Sequence, residues 1–308
     1  GVVCLFATSA EQLIAGRVLQ GLGGGVGPAL ANAMVLIIFG REGAARMIGY
    51  MSIAIPLAPA VAPVVGGILQ EAFGWQSVFV VLISLGIVLA LMYALMLPET
   101  RPARTPDAPS LAANYRTLYS SPTFVGYALV MGLMFGGQLL FISTSSFVLI
   151  DHLGLEPRVF GFSFGLVALG IMGGAMLSSR LVRTFLPRRV VLLGVSLSAG
   201  STAVMLALVA SGLEHALVVL LPMVGTAIGF GLSRPSAMAG ALVPFPQIAG
   251  LASSMLVFSQ MTLSSSYNIA FSQVFEPGPM ALAGGMFAAL VAALLAVLIL
   301  RPGAADDP

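Results

Sequence analysis

Long apolar runs alternate with short polar connectors along almost the whole chain. A bilayer core about 30 Å thick needs ~20 apolar residues of helix to cross it. On that basis the pattern predicts an all-α membrane protein: a stub at about 1–8, then nine full spans at roughly 12–39, 47–69, 76–97, 122–150, 159–180, 189–211, 215–243, 248–275 and 280–300. One connector breaks the rhythm. Pro98-Glu99-Thr100-Arg101-Pro102 opens a polar, proline-rich stretch that runs to Ser121 and reads as a linker.

Charge placement supports this map. If residues 40–46 are cytoplasmic, alternation puts Arg41, Arg46, Arg101, Arg104, Arg116, Arg180, Arg183, Arg188, Arg189 and Arg301 on the same side. Arg158 falls on the opposite face, together with Glu11, Glu71, Asp151, Glu156, Glu214 and Glu276, while Arg17 and Arg234 lie within spans. Cytoplasmic connectors carry the excess of Arg in multi-pass proteins, and a missed span would scramble the sorting. Six spans follow the linker; three and a stub precede it. A fold of two six-helix halves would therefore lack its first two helices and most of its third. Because the chain starts at Gly1 inside an apolar run, we read the N-terminus as a truncation. The expected organisation is residues 1–97 as the remainder of an N-terminal six-helix bundle, 98–121 as a cytoplasmic linker, and 122–308 as a C-terminal six-helix bundle with a short cytoplasmic tail.

Composition changes the picture mainly by exclusion. Charged residues make up 8% of the chain and hydrophobic residues 58%, where a soluble domain carries roughly 25% charged residues. A single cysteine, Cys4, excludes a disulfide framework or a cysteine metal site. His152 and His215 both fall in predicted connectors. Gly23-Gly24-Gly25 lacks the Lys-Ser/Thr of a phosphate-binding loop and lies in a span. With no Ser/His/Asp set, no zinc spacing and no basic stripe for nucleic acid, an enzyme, a metal site or bound cofactor, and a nucleic-acid partner are not expected.

Arg17 is the residue most in need of explanation. Placing Arg at mid-bilayer depth costs between ~3 and ~17 kcal/mol, so such a charge normally faces a bundle interior, a partner or water. The competing reading is an anchor snorkelling near the outer end of its span, close to Glu11. Arg234, in the inner half of its span, either snorkels to the cytoplasmic phosphates or lines a cavity near an inner gate. In the span after the linker, Met131, Met134, Gln138, Phe141 and Ser145 recur at helical spacing and share one face. Met and Phe around one amide make an adaptable surface suited to varied ligands, or an ordinary packing stripe. Asn32 and Met34 on the Arg17 helix, and Gln260, Ser264, Tyr267 and Asn268 on the penultimate span, are further cavity candidates or interhelical hydrogen-bond partners. The span at 47–69 holds Gly49, Pro56, Pro59, Pro63, Gly66 and Gly67. Its prolines remove backbone donors and bend it, and Gly66 and Gly67 would let a neighbouring backbone approach.

Two motifs carry a family resemblance. Arg17-Val18-Leu19-Gln20-Gly21-Leu22-Gly23 resembles the fourth-helix signature of the major facilitator superfamily. Leu57-Ala58-Pro59-Ala60-Val61-Ala62-Pro63-Val64-Val65-Gly66-Gly67 is similar to the fifth-helix signature of its drug:proton antiporters, with Ala58 and Ala62 where glycines are common. Together with Gly74-Trp75-Gln76-Ser77-Val78-Phe79 and Pro98-Glu99-Thr100, this resembles the bicyclomycin/chloramphenicol-resistance branch. A degenerate counterpart of the family's basic loop stands at Arg180-Leu181-Val182-Arg183…Arg188-Arg189.

The resemblance implies the major facilitator fold, as helices 3–12 of a twelve-helix parent in a bacterial inner membrane. It implies alternating-access efflux of small amphipathic drugs, driven by the proton gradient without a cofactor and carried out by a monomer. Arg17 and Gln20 would take part in proton coupling, and the Gly/Pro span would form the seam between halves. The acid that Arg17 modulates is expected on the missing first helix, so residues 1–308 alone are expected to transport nothing. A proton-coupled importer of a metabolite and a non-transporting membrane sensor or scaffold are the rival readings. Substrate identity is not encoded in an adaptable apolar surface.

Overall fold

The computed structural model describes residues 1–24, 34, 61–62, 65–96, 111–300 and 302. Among them the chain forms helices and turns and no β-strand. In a bilayer, where water cannot satisfy backbone groups, a helix meets that demand within its own segment. Among the described residues, seven helices are long and apolar enough to span a membrane: Gln76–Leu95, Pro122–His152, Val159–Leu181, Pro187–Ala210, Ala216–Leu242, Pro246–Val274 and Pro279–Leu300. They coincide within a few residues with seven of the nine expected spans. The spans expected at 12–39 and 47–69 lie largely outside the described residues, together with Asn32, Gly49, Pro56, Pro59 and Pro63.

The chain divides into two compact units, Gly1–Ala108 and Pro109–Pro308. In the first, a short helix α1 (Val2–Leu5) precedes α2 (10–24), α3 (65–73) and α4 (Gln76–Met96). α1 packs against α4. It also approaches α2 at Gly16, where an added Cβ would meet Cys4 Sγ at 2.6 Å and Cys4 N at 3.1 Å. Gly74 (φ 82°) ends α3 in the left-handed conformation a Cβ would resist. The Ser77 hydroxyl ties the turn down by donating to the carbonyls of Gly74 (2.6 Å) and Leu69 (3.1 Å).

The second unit begins with α5 (Leu111–Tyr119), a helix within the stretch 98–121 read as linker. Beyond the prolines, Leu111, Tyr115 and Leu118 recur at helical spacing, and Leu118 is fully buried. α6 (Pro122–Ser146) follows, capped by Ser121 and continued by a π-helical turn, Phe147–His152. Then come α7 (Pro157–Leu181), α8 (Pro187–Ala210), α9 (Ala216–Leu242), a 3₁₀ turn (Pro246–Ile248), α10 (Ala249–Val274) and α11 (Pro279–Leu300). Proline opens α6, α7, α8 and α11, where the first helical N–H has no partner to lose.

α9 packs on α6, α7 and α8, while α6 also packs on α10 and α11, and α8 meets α11. Small residues set these crossings. A Cβ on Gly194 of α8 would fall 3.1 Å from Ser233 N and against the Gly229 carbonyl, and one on Gly229 would meet the Gly194 carbonyl. On the other side of α9, Gly231 faces Ile171 and Ala175 backbone, and Gly174 faces Ile228 and Leu232 backbone. Hydroxyls exploit the proximity. The Ser198 hydroxyl donates to Thr226 O at 3.1 Å, Ser233 to Val191 O at 3.2 Å, and Ser178 and Ser236 share a buried bond of 2.8 Å. In lipid, where apolar tails surround every helix, such close contact and hydrogen bonding replace the hydrophobic drive between helices.

Candidate functional site

In the first unit, Arg17 stands on α2 about 10 Å along the axis from the helix start. Its Nη1 donates to Gln20 Oε1 at 3.2 Å, one turn further on. The guanidinium carbon lies 5.1 Å from the centroid of Phe79 on α4. Phe79 is itself buried and fixed edge-on by Trp75, with ring centroids 5.9 Å apart and planes at 89°. Such a cation–π contact contributes about 0.5–2 kcal/mol, more as the pair is desolvated. Neither the ring nor the amide carries a charge, so the arrangement orients Arg17 without neutralising it.

The sequence reading places Arg17 and Gln20 in one motif without pairing them; Phe79 does not figure in it, although the Gly74–Phe79 motif contains that residue. Replacing Phe79 with Leu keeps the bulk and removes the quadrupole. It should lower transport by the full gene product about threefold, with a drop of only a few degrees in melting point. The check is an initial-rate efflux assay beside a thermal-shift measurement.

The described motif glycines behave alike. A Cβ at Gly21, Gly23, Gly66 or Gly67 would meet nothing within 4 Å among the described residues. Met34 is helical and half-buried.

In the second unit, Met131, Met134, Gln138, Phe141 and Ser145 all turn inward and are almost fully buried. Met131 and Met134 meet Gln260 of α10 and Phe230, Ser233 and Arg234 of α9 around a void of about 10 Å³, room for one water. Phe141 packs elsewhere, 5.6 Å from the Phe164 ring of α7. The side-chain oxygens of Gln138, Ser145 and Gln260 are buried without a hydrogen-bond partner among the described residues, an arrangement that carries a desolvation penalty of about 1–3 kcal/mol each.

Asn268 is satisfied. Its Nδ2 donates to Gly136 O (3.0 Å) and Ser264 O (2.9 Å), so it ties α10 to α6. Tyr267 donates to Gly285 O at 2.6 Å and ties α10 to α11.

Seven apolar helices of membrane-spanning length among the described residues define a multi-pass membrane protein. The Major Facilitator Superfamily profile matches residues 1–268, and the chain belongs to that superfamily, one of transporters rather than enzymes. It is 33% identical over 182 residues to the uncharacterized MFS-type transporter YdgK of Bacillus subtilis (strain 168), covering 58% of this chain and 45% of that protein. It is 29% identical over 266 residues to the multidrug resistance protein MdtL of Citrobacter koseri, covering 86% of this chain and 66% of that protein. With MdtL of Escherichia coli O45:K1 (strain S88 / ExPEC) it shares 28% identity over 304 residues, 98% of this chain and 76% of that protein.

Proposed function

We propose that this chain works in the proton-driven export of small amphipathic compounds, including drugs, across a bacterial inner membrane. The observation that carries the reading is the charge of Arg17, held in place by the neutral side chains of Phe79 and Gln20. Such a charge depresses the proton affinity of any carboxylate brought near it and releases that carboxylate when it moves away. A conformational cycle in which two helical bundles rock about a shared cavity then couples proton entry to drug exit. The multidrug-resistance names of the MdtL relatives support export over import. The packed face of Met131, Met134 and Phe141 supports an adaptable substrate surface that opens during the cycle. In this reading the protein is a monomer with its linker and C-terminus in the cytoplasm, and the proton gradient is its energy source.

The test uses efflux-deficient bacteria producing the full gene product. Preloaded fluorescent drug should leave several times faster than from control cells, and a protonophore should abolish the difference. Gradient-dependent accumulation in place of loss would establish an importer instead. No change in either direction would leave a non-transporting role.

A further inference from the structure

Between the C-terminal ends of α6 and α10, beside the start of α11, lies a cleft of about 210 Å³. The proposed proton coupling and the buried Met face leave it without a role. Its polar side holds Ser143, 3.4 Å from Asn268 Oδ1. The Asn268 amide nitrogen is committed to two carbonyls, and its Oδ1 and the Leu140 carbonyl (3.1 Å) are both within reach of the Ser143 hydroxyl. Phe271 and Phe275 line the opposite side. They continue an aromatic ladder up α10 at i, i+4 and i+8: Tyr267 and Phe271 have centroids 6.1 Å apart at 30°, and Phe271 and Phe275 4.6 Å apart at 26°. Gly285 makes room for it, since a Cβ there would lie 2.7 Å from the Phe271 ring. Glu276, exposed, closes the lining with a carboxylate.

We propose that this cleft binds a small organic cation, an alkyl- or arylammonium group. The positive head would sit against the exposed ring of Phe275, which Phe271 backs by stacking, and against the Glu276 carboxylate, with the Ser143 and Asn268 side chains beside it. Aromatic faces attract cations through their quadrupole, and the one charged residue in the lining is acidic. A neutral ligand would strip water from that carboxylate without replacing it. The connectors at this end of the unit add Asp151, Glu156 and Glu214 against Arg158, so the surrounding field draws cations in. A space of this size is below the usual ~300–1,000 Å³ of drug sites, which limits the occupant to a small molecule or one head group. The inference names a substrate class for the transporter proposed above and rests on that reading only for its place in the cycle.

The same chemistry is available in a solute or in a lipid head group, and the experiment separates them. The full gene product in phosphatidylglycerol nanodiscs is titrated with benzyltrimethylammonium by calorimetry, without a proton gradient. Wild type should bind saturably; Glu276→Gln should weaken binding about tenfold and Phe275→Leu about threefold. The uncharged carbon isostere neopentylbenzene should not bind. Equal affinity in wild type and both variants, or no saturable binding to wild type, overturns the site. Weaker wild-type binding in discs containing phosphatidylethanolamine, absent in Glu276→Gln, makes a lipid ammonium the occupant; equal affinity in both lipids makes it a solute. Cation binding that depends on Glu276 without drug efflux retires the export reading and keeps the cleft. Efflux with binding indifferent to Glu276 does the reverse.

Discussion

Cells producing the Arg17→Ala variant should retain the drug that wild-type cells expel, with the initial efflux rate down at least about tenfold at equal membrane abundance. Alanine empties the face of Phe79 and leaves Gln20 Oε1 without its donor. The larger loss is the charge itself, which in the proposed mechanism shifts the protonation of a carboxylate. Arg17→Lys separates the two effects. It keeps a positive charge but gives up the planar guanidinium that stacks on the ring, and an intermediate rate is expected. The readouts are dye efflux on energisation and immunoblots of the membrane fraction. A rate unchanged in Arg17→Ala would remove this residue from the mechanism while leaving the fold assignment intact.

The second large effect concerns folding. Gly231→Val should cost about 3 kcal/mol or more and empty the membrane of folded protein. At Gly231 the added Cβ would lie 3.0 Å from Ala175 N and 2.8 Å from the Ile171 carbonyl carbon, both backbone atoms of α7. No rotamer change relieves such a clash; the two helices must separate, and the nearby Ser178–Ser236 bond between them is put at risk. Gly200→Val and Gly284→Val are the controls, because an added Cβ there meets nothing within 4 Å. Fluorescence-detected size exclusion of tagged variants reads the outcome. A monodisperse Gly231→Val peak at wild-type yield would contradict the packing described for α7 and α9.

Seven spans were legible in the sequence because an uncharged apolar run of ~20 residues matches the thickness of a bilayer and exceeds what a buried core helix usually needs. The periodicity of Met131, Met134, Gln138, Phe141 and Ser145 correctly placed them on a single face, and that face is buried. Periodicity states which residues share a side and nothing about what lies opposite. Hence the meeting of Met131 and Met134 with Gln260, and the separate packing of Phe141, needed coordinates.

The contact of Arg17 with Phe79 joins residues far apart in sequence, and a motif match alone does not reveal it. The crossings at Gly194 and Gly229 were hidden for the same reason, among 36 glycines of which many pack against nothing. The helix Leu111–Tyr119 and the ladder of Tyr267, Phe271 and Phe275 are different. Their helical spacing was there to be seen, masked in one case by the prolines before it and in the other by the polar residues that share its helix.

The glycine contacts also limit how this protein can change shape. α7, α9 and α8 touch backbone to backbone, with hydroxyls bonded across both seams. Sliding one past another by even part of a turn would drive a side chain into a neighbour's carbonyls. The trio is therefore a single plate: it can tilt or swivel as a whole, but it has no internal slip plane, and any opening of the bundle must be hinged at its borders.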